Sequence, residues 1–257
     1  MMKREFFFND GLRLSYLDAG GSGQAVVALH AHFMEASTYA PLAEALAPGW
    51  RVFALDQRGH GDSAHARTYT RDDYLYDLAA FVEHLGLGRA VFVGNSLGGV
   101  NAYQFAARFP AIVQGLVIED IGVEIRDDLS LALEWQGEFE SPGAFAARVG
   151  PRWAPHLLAS LRPSPGGYKL AFDPREIVVS GRGLCGDHWR DWLATDCPAV
   201  VVRGLDSRVT TQAALEQMAA RRPNTRLVTL PGGHVVHTGD PAGFAAVVLE
   251  LLRGLQG

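Results

Sequence analysis

Three residue types that together form a nucleophilic triad occur in this sequence, each in a short glycine-containing motif. Ser96 stands in a Gly-x-Ser-x-Gly frame, Asp206 follows Gly-Leu, and His234 follows Gly-Gly. A serine hydroxyl is a weak nucleophile until an imidazole accepts its proton, and a carboxylate can orient that imidazole. The three side chains therefore predict acyl transfer with Ser96 as nucleophile, His234 as base and Asp206 as the orienting acid.

Each of these motifs directly follows a predicted strand. An apolar run precedes the Ser96 frame, residues 199–203 precede Asp206, and residues 226–230 precede His234. The carboxyl ends of parallel strands meet at one edge of an open α/β sheet, where such sheets place their sites. A lone Gly-x-Ser-x-Gly frame also occurs in glycine-rich turns without chemistry. The prediction therefore depends on all three motifs reaching the same edge.

Strands and helices alternate along most of the chain. Residues 9–11, Asn-Asp-Gly, predict a hairpin turn between two short strands near the start. Apolar strand-like runs then alternate with segments of helical spacing, such as residues 39–47 and 71–85. This order predicts the α/β class, with a mostly parallel central sheet and helices on both faces.

The alternation stops between residues 122 and 188. This stretch is rich in aromatic residues and is interrupted by prolines and glycines. It is predicted to form helices and loops inserted between two strands. We therefore divide the chain into a core of residues 1–121 and 189–257 and an insertion of residues 122–188.

Composition narrows the class of protein. The chain has 257 residues, of which 48% are hydrophobic, enough for one large domain with a sizeable core. Its net charge of −5 gives no indication of nucleic acid or of an anionic membrane surface as a partner. Two cysteines are too few for a disulfide framework, and we find neither a signal peptide nor a membrane span. These features favour a soluble, cytoplasmic protein; they do not predict its oligomeric state.

The motifs resemble those of the α/β-hydrolase fold family over nearly the whole chain, in its serine hydrolase branch with a lid insertion. The resemblance depends on Gly-Asn-Ser-Leu-Gly-Gly, Asp-Gln-Arg-Gly-His-Gly-Asp-Ser, the Gly-Leu-Asp loop and Gly-Gly-His-Val-Val-His. It implies that Arg58, His60 and Asp62 brace the sheet edge and are not catalytic. It also implies that residues 122–188 are a lid over the serine, and that the protein needs no cofactor.

The resemblance further implies an oxyanion hole made by two backbone N–H groups. By position, these belong to His32 and Leu97. Where the family usually has His-Gly-x, this chain has His30, Ala31 and His32, so Ala31 must avoid a positive φ. The His-x-His spacing also suggests zinc, but the Asp-His that would complete such a ligand set is absent. We expect no metal.

Some roles stay open at this point. Some members of the family carry the triad acid at the end of the strand before the lid, where this chain has Asp120, so Asp120 competes with Asp206. His237 is expected to pack or to form a hydrogen bond beside the site. The lid aromatics either line the substrate pocket or form the core of the lid itself. The side chains we expect in the pocket are Phe33, Trp135, Phe139 and Trp153.

The resemblance implies a serine hydrolase that cleaves an ester or related carbonyl bond in a small, largely apolar substrate through an acyl-enzyme. The serine argues against the haloalkane dehalogenase and epoxide hydrolase branches, which use aspartate. Three alternatives remain: a carbon–carbon bond hydrolase of the meta-cleavage-product type, a cofactor-free haloperoxidase with peracid activity, and a slow-turnover ligand receptor on the same fold. The sequence does not predict the acyl group or the pathway.

Overall fold

Twelve strands are present in the computed structural model, which describes residues 2–256. They are β1 (Lys3–Asn9), β2 (Leu12–Asp18), β3 (Gln24–Leu29), β4 (Trp50–Asp56), β5 (Ala90–Asn95), β6 (Val113–Glu119), β7 (Glu124–Ile125), β8 (Leu161–Ser164), β9 (Gly167–Leu170), β10 (Gly186–Asp187), β11 (Ala199–Gly204) and β12 (Thr225–Leu230). Eight of them form one sheet in the order β1-β2-β4-β3-β5-β6-β11-β12. The strand β2 pairs antiparallel with β1 and β4, and all other pairs in this sheet are parallel.

Helices cover both faces of this sheet. The α-helices are α1 (Ala40–Leu46), α2 (Arg71–His84), α3 (Leu97–Arg108), α4 (Pro142–Val149), α5 (Ala154–Leu157), α6 (Pro174–Leu184), α7 (Trp189–Trp192), α8 (Gln212–Arg221), α9 (Val236–Gly239) and α10 (Pro241–Gly254). Successive side chains of a strand point to opposite faces, so β3 supplies Val27 to one apolar cluster and Val26 to another. The first cluster includes residues of α2, α3 and α8, and the second includes residues of α1 and α10.

The predicted fold class is confirmed. Central strands such as β3 and β5 are buried on both faces, which is why they read as continuous apolar runs instead of alternating patterns. The predicted hairpin at residues 9–11 is also present. Asp10 and Gly11 both have positive φ, 46° and 80°, as a two-residue hairpin turn requires.

Residues 122–188 lie between β6 and β11 and contain more than the expected helices and loops. Besides α4, α5, α6 and two 3₁₀ helices (Ser130–Trp135 and Leu158–Ser160), this segment holds the hairpin β8–β9 and the short ribbon β7–β10. It also has an apolar cluster of its own, formed around Trp135, Phe139 and Phe145. The hairpin was not predicted, because its strands are only four residues long and partly exposed.

Among residues 2–256, we find no helix with both the length and the apolar character needed to cross a bilayer.

Candidate active site

The sharp turn between β5 and α3 carries Ser96. Its φ of 52° and ψ of −115° lie outside the regions that residues with a side chain normally occupy. Two flanking glycines make the turn possible, since a Cβ on Gly98 would collide with the backbone of Leu29, and one on Gly94 with that of Gly98. The Ser96 N–H donates to the carbonyl of Glu119 on β6, at 3.0 Å, so the turn is also fixed from the neighbouring strand.

The imidazole of His234 follows β12 and is bonded to a carboxylate from β6. Its Nδ1 lies 2.8 Å from Oδ2 of Asp120, a side chain with no exposed surface. The expectation that Asp206 forms this bond is wrong: in the described part of the chain, the Asp206 carboxylate forms no hydrogen bond or ion pair with the imidazole. The competing carboxylate, Asp120, occupies that place.

Two backbone features explain why Asp120 reaches the imidazole. Asp120 adopts a left-handed conformation with φ 49°, and its N–H donates to the carbonyl of Val202 on β11 at 2.7 Å. The chain after β6 is therefore attached to β11 at Asp120. Asp206, by contrast, lies at the surface: the residue is exposed, and its N–H donates to the Gly232 carbonyl at 2.9 Å.

The end of β11 and the loop that follows it do not provide the carboxylate for His234. They provide hydrogen-bond donors to the carboxylate of Asp120. Thr210 Oγ1 donates to Oδ1 at 2.8 Å, the Gly204 N–H donates to the same oxygen at 3.2 Å, and Ser207 Oγ donates to Oδ2. With the imidazole, the carboxylate therefore faces four donors. Such bonds stabilise the ionised form of a buried carboxylate, which is the form that can orient an imidazole.

A second acid–imidazole pair lies directly behind the first. His237 Nδ1 is 2.7 Å from Glu119 Oε2, its N–H donates to Oε1 at 2.9 Å, and both side chains are buried. The His237 ring stacks on Tyr39 at a centroid distance of 4.3 Å. His237 thus forms a hydrogen bond beside the site, and it anchors the start of α9 close to His234.

Asn95 links the serine turn to the histidine loop. Its Nδ2 donates to the carbonyl of His234 at 2.9 Å and to that of Glu119 at 3.2 Å. Sequence reasoning missed this role, and it also missed Ser207 and Thr210. The available signal was position: Asn95 directly precedes Ser96, and the two hydroxyl residues follow the Gly-Leu-Asp motif.

Both predicted oxyanion donors lie at this edge of the sheet. Leu97 is the first residue of α3, where a helix leaves its N–H without an internal partner. Neither this N–H nor that of His32 has a hydrogen-bond acceptor within residues 2–256. Ala31 avoids a positive φ, as expected, and Phe33 instead takes φ 70°.

The imidazoles around this loop are buried and hydrogen-bonded within the protein. His30 Nε2 accepts from the Gln57 N–H at 3.0 Å, and His32 Nε2 lies 2.8 Å from Ser180 Oγ. Burial lowers the pKa of His30 to about 4 and that of His60 to about 3, and it holds the pKa of His32 well below 6.5. These rings are neutral hydrogen-bonding groups of the framework.

The loop after β4 also has a framework role. Arg58 Nε donates to Asp77 of α2 at 2.6 Å, and His60 Nδ1 lies 2.9 Å from the Arg58 carbonyl. Asp62 pairs with Arg4 at 2.8 Å, which ties the loop to β1.

A cavity of about 460 Å³ brings Ser96 and His234 together, and we call it the Ser96 cavity. Ser96 also lines a second cavity, of about 670 Å³, which shares several lining residues with the first, among them Phe33 and Trp153. Neither the Ser96 hydroxyl nor Nε2 of His234 has a hydrogen-bond partner in the described chain. Hydrogen bonds of this kind often tighten only when substrate is bound.

The predicted pocket aromatics divide into two groups. Phe33 and Trp153 line both cavities, and Trp135 lines the second. Phe139 lines neither within the described residues: it is 2% exposed and packs edge-to-face on Phe145, with ring centroids 5.0 Å apart. The expectation that Phe139 contacts substrate is therefore wrong, since its ring belongs to the core of the 122–188 segment.

Comparisons with known proteins identify the family of this chain. The family model of the alpha/beta hydrolase fold matches residues 24–241. A 2-(acetamidomethylene)succinate hydrolase from Mesorhizobium japonicum is 30% identical over 237 residues, covering 86% of this chain and 85% of that protein. The sn-1-specific diacylglycerol lipase ABHD11 of Mus musculus is 38% identical over 267 residues, covering 94% of this chain and 85% of that protein.

The structural comparison extends over nearly the whole chain. The crystal structure of E-2-(acetamidomethylene)succinate hydrolase superposes with a TM-score of 0.88 at 26% identity, covering 98% of this chain and 100% of the other. The sheet order, the serine turn after β5 and the family match along most of the sequence lead to one conclusion. This chain belongs to the α/β-hydrolase fold family.

Proposed function

We propose that the protein is a serine hydrolase that cleaves an ester or related carbonyl bond through an acyl-enzyme, with Ser96, His234 and Asp120 as its triad. The observation that carries the proposal is the shared cavity. A strained serine turn opens into the same space as an imidazole whose other nitrogen is bonded to a buried carboxylate. Asp120 replaces Asp206, the acid expected from the sequence.

The first half of the reaction forms the acyl-enzyme. The Nδ1–H of His234 is donated to Asp120, which leaves Nε2 as the basic nitrogen. As Ser96 Oγ bonds to the substrate carbonyl carbon, its proton moves to Nε2. The carbonyl oxygen becomes an oxyanion that accepts from the N–H groups of His32 and Leu97. The oxyanion then collapses, the bond to the leaving group breaks, and the leaving group takes the proton from Nε2.

The second half releases the acyl group. Water gives a proton to Nε2 and bonds to the acyl carbon, which produces a second oxyanion in the same place. Collapse of this intermediate breaks the bond to Ser96 Oγ, which regains the proton from the imidazole. The carboxylic acid leaves, and the triad returns to its starting state.

The walls of the Ser96 cavity support a small, largely apolar substrate. Eight apolar side chains line it: Ala31, Phe33, Met34, Leu129, Trp153, Leu157, Val209 and Val235. Its charged side chains balance, with Arg152 and Arg208 against Asp127 and Asp206. A cavity without net charge gives an anionic substrate no electrostatic advantage. We therefore place an uncharged acyl group here, although one relative acts on a succinate derivative.

In this proposal, residues 122–188 are the lid. The segment contributes Leu129, Trp153 and Leu157 to the Ser96 cavity and so covers the serine from above the sheet edge. Exclusion of water strengthens the hydrogen bonds to a developing oxyanion. The lid thus separates the acyl group from solvent during the first half of the reaction.

Burst kinetics with p-nitrophenyl acetate test the proposal. We expect one equivalent of p-nitrophenol per protein to be released before the steady state, because an activated aryl ester should acylate Ser96 faster than water removes the acyl group. Phenylmethanesulfonyl fluoride should label a single peptide, the one that contains Ser96, and Ser96→Ala should abolish both signals. Full activity in Ser96→Ala would overturn the mechanism.

The same experiment separates the alternative functions. A ligand receptor on this fold would give a single burst with negligible turnover afterwards. A carbon–carbon bond hydrolase would turn over a vinylogous 1,5-diketone faster than any ester in a panel of graded acyl chain length. We expect short acyl esters to be preferred, because the Ser96 cavity holds about 460 Å³.

A further inference from the structure

The loop that carries the oxyanion donor, residues 30–35, is bonded at three points to the 122–188 segment. We call residues 30–35 the oxyanion loop. The Phe33 carbonyl accepts from Ser160 Oγ at 3.0 Å, and both residues are buried. His32 Nε2 lies 2.8 Å from Ser180 Oγ, again between buried residues.

The third bond is an ion pair at the end of the oxyanion loop. Arg162 Nη2 donates to Glu35 Oε2 at 2.6 Å, and the Glu35 side chain is only 6% exposed. These bonds come from three separate elements of the segment: the 3₁₀ helix Leu158–Ser160, the strand β8 and the helix α6. The loop is therefore held from several directions.

Apolar packing also attaches the oxyanion loop to the 122–188 segment. Phe33 belongs to the apolar cluster of the 122–188 segment, and among the described residues it is the one buried member of that cluster from outside the segment. Its ring contacts Trp135, Trp153 and Phe172, with centroid distances of 5.4, 5.8 and 5.5 Å. The Phe33 side chain thus belongs to the hydrophobic core of the segment.

The oxyanion loop needs this support because its backbone is strained. Phe33 has a φ of 70°, which is unfavourable for a bulky residue. Such conformations persist only where surrounding contacts hold them. The bonds to Ser160 and Ser180 fall on both sides of the peptide that joins His32 to Phe33. They fix the orientation of the residue whose N–H is to face the oxyanion.

We infer that Ser160, Ser180 and Arg162 are positioning residues, which hold the oxyanion loop so that the His32 N–H points at the developing oxyanion. The inference rests on the proposed function. It gives residues 122–188 a task in the chemical step, beyond covering the cavity. None of the three side chains contacts the reacting atoms; each acts through the loop.

Ser160→Ala and Ser180→Ala test this inference. Loss of one oxyanion donor lowers kcat about 10²- to 10³-fold, and a misplaced donor should cost about 10- to 100-fold. We expect this loss in the burst rate constant with p-nitrophenyl acetate, while the dissociation constant of the substrate, taken from the concentration dependence of the burst, changes less than about threefold. A trifluoromethyl ketone, whose adduct places an oxyanion in the hole, should lose affinity by a similar factor.

Two further variants separate positioning from general damage to the segment. Ser141→Ala removes the N-cap of α4 in the same segment without touching the oxyanion loop. It should lower the melting temperature but leave the burst rate constant and the trifluoromethyl ketone affinity unchanged. Ser160→Thr keeps the hydroxyl and should recover most of the lost rate.

The outcomes distinguish failure of the inference from failure of the proposed function. If the wild-type protein shows a burst and labelling at Ser96, but both serine variants keep the wild-type rate constant, the positioning role is wrong and the triad stands. If the substrate dissociation constant and the burst rate constant change together in Ser160→Ala, Ser180→Ala and Ser141→Ala alike, the segment only shapes the cavity. If the wild type gives neither a burst nor labelling at Ser96, the proposed function itself fails.

Discussion

Oδ2 of Asp120 lies 2.8 Å from Nδ1 of His234, although 114 positions separate the two residues in the chain. The carboxylate has no exposed surface, and it also accepts from Thr210, Ser207 and the Gly204 N–H. Its two oxygens are therefore fully used inside the protein. The imidazole is held in one tautomer by a carboxylate that is itself fixed.

Replacement of this acid should nearly abolish turnover. In Asp120→Asn the amide can present its NH₂ group to Nδ1, which favours the wrong tautomer and leaves the cation of His234 unsupported. We expect kcat for p-nitrophenyl acetate to fall by about 10⁴-fold. Circular dichroism should show that the variant is folded.

Asp206→Asn is the matched control for this experiment. The residue lines the same cavity but is exposed. Its kcat should fall by no more than about tenfold. If Asp206→Asn were the more damaging change, the triad acid would have to be reassigned.

The Glu119–His237 pair should contribute to stability much more than a surface pair does. His237→Phe keeps the stacked ring over Tyr39 but removes Nδ1, so Glu119 stays buried with only a backbone N–H as donor. Breaking a buried pair on one side costs about 3–5 kcal/mol. We expect a loss of that size in the free energy of unfolding, measured with urea.

A surface pair and a double variant complete this test. Arg226→Ala breaks the exposed pair with Glu250 and should cost at most about 1 kcal/mol. The combined Glu119→Leu, His237→Phe variant should recover part of the lost stability, since no unpaired charge is left in the core. Equal stabilities of His237→Phe and the wild type would contradict a stabilising pair.

Gly98 should tolerate no side chain, because a Cβ there would collide with the backbone of Leu29 on β3. Gly98→Ala would push α3 away from β3 and displace the Leu97 N–H from the oxyanion. Overpacking of this kind typically costs 1–3 kcal/mol. We expect a lower melting temperature together with a loss of at least about 100-fold in kcat.

Gly88→Ala provides the comparison. No atom lies within 4 Å of the Cβ it would add, and Gly88 does not have a positive φ. This variant should match the wild type in both melting temperature and kcat. An active, stable Gly98→Ala enzyme would show that the serine turn does not need the close approach to β3.

Acid should destabilise the protein through its buried histidines. The pKa of His30 is lowered to about 4 and that of His60 to about 3, mainly by burial. The unfolded chain, with histidine pKa values near 6.5, therefore binds protons first as the pH falls. Each ring should lower the free energy of unfolding by about 1 kcal/mol per pH unit between pH 6 and 4.5.

His60→Asn tests the sign of this effect. The amide can still donate to the Arg58 carbonyl, and the variant lacks a titrating ring. Its stability, measured by urea unfolding at several pH values, should fall less steeply with acid than that of the wild type. His65→Asn should not flatten the curve, because the hydrogen bond that the His65 ring donates to Glu176 raises the pKa of His65. Parallel curves for His60→Asn and the wild type would contradict the prediction.

The sequence was informative about the fold because its signals are local. Apolar runs gave the central strands, and the Gly-x-Ser-x-Gly frame gave the turn at Ser96. The position of His234 at the end of β12 followed from the same alternation. These features depend on neighbours in the chain, so no three-dimensional information was needed to place them.

The acid could not be chosen in this way, because the choice depends on backbone conformation. Asp120 and Asp206 both follow strands at the same sheet edge, and the strand before Asp206 is the closer to β12. The left-handed φ of Asp120 and the hydrogen bond from its N–H to Val202 decide the outcome. Neither feature leaves a signature in the residue types. Phe139 was misplaced for a similar reason, since an aromatic of a pocket and one of a core look alike in sequence.

Because the Phe33 side chain is buried in the core of the 122–188 segment, it affects any attempt to exchange that segment between homologous proteins. A chimera with junctions only near residues 122 and 188 would bring in a foreign core with no matching site for the Phe33 ring, and would also lose Ser160 and Ser180. The graft therefore needs a third, separate piece, residues 32–35, taken from the same donor as the segment. If the proposed roles hold, an exchange of substrate range would therefore carry part of the oxyanion hole with it.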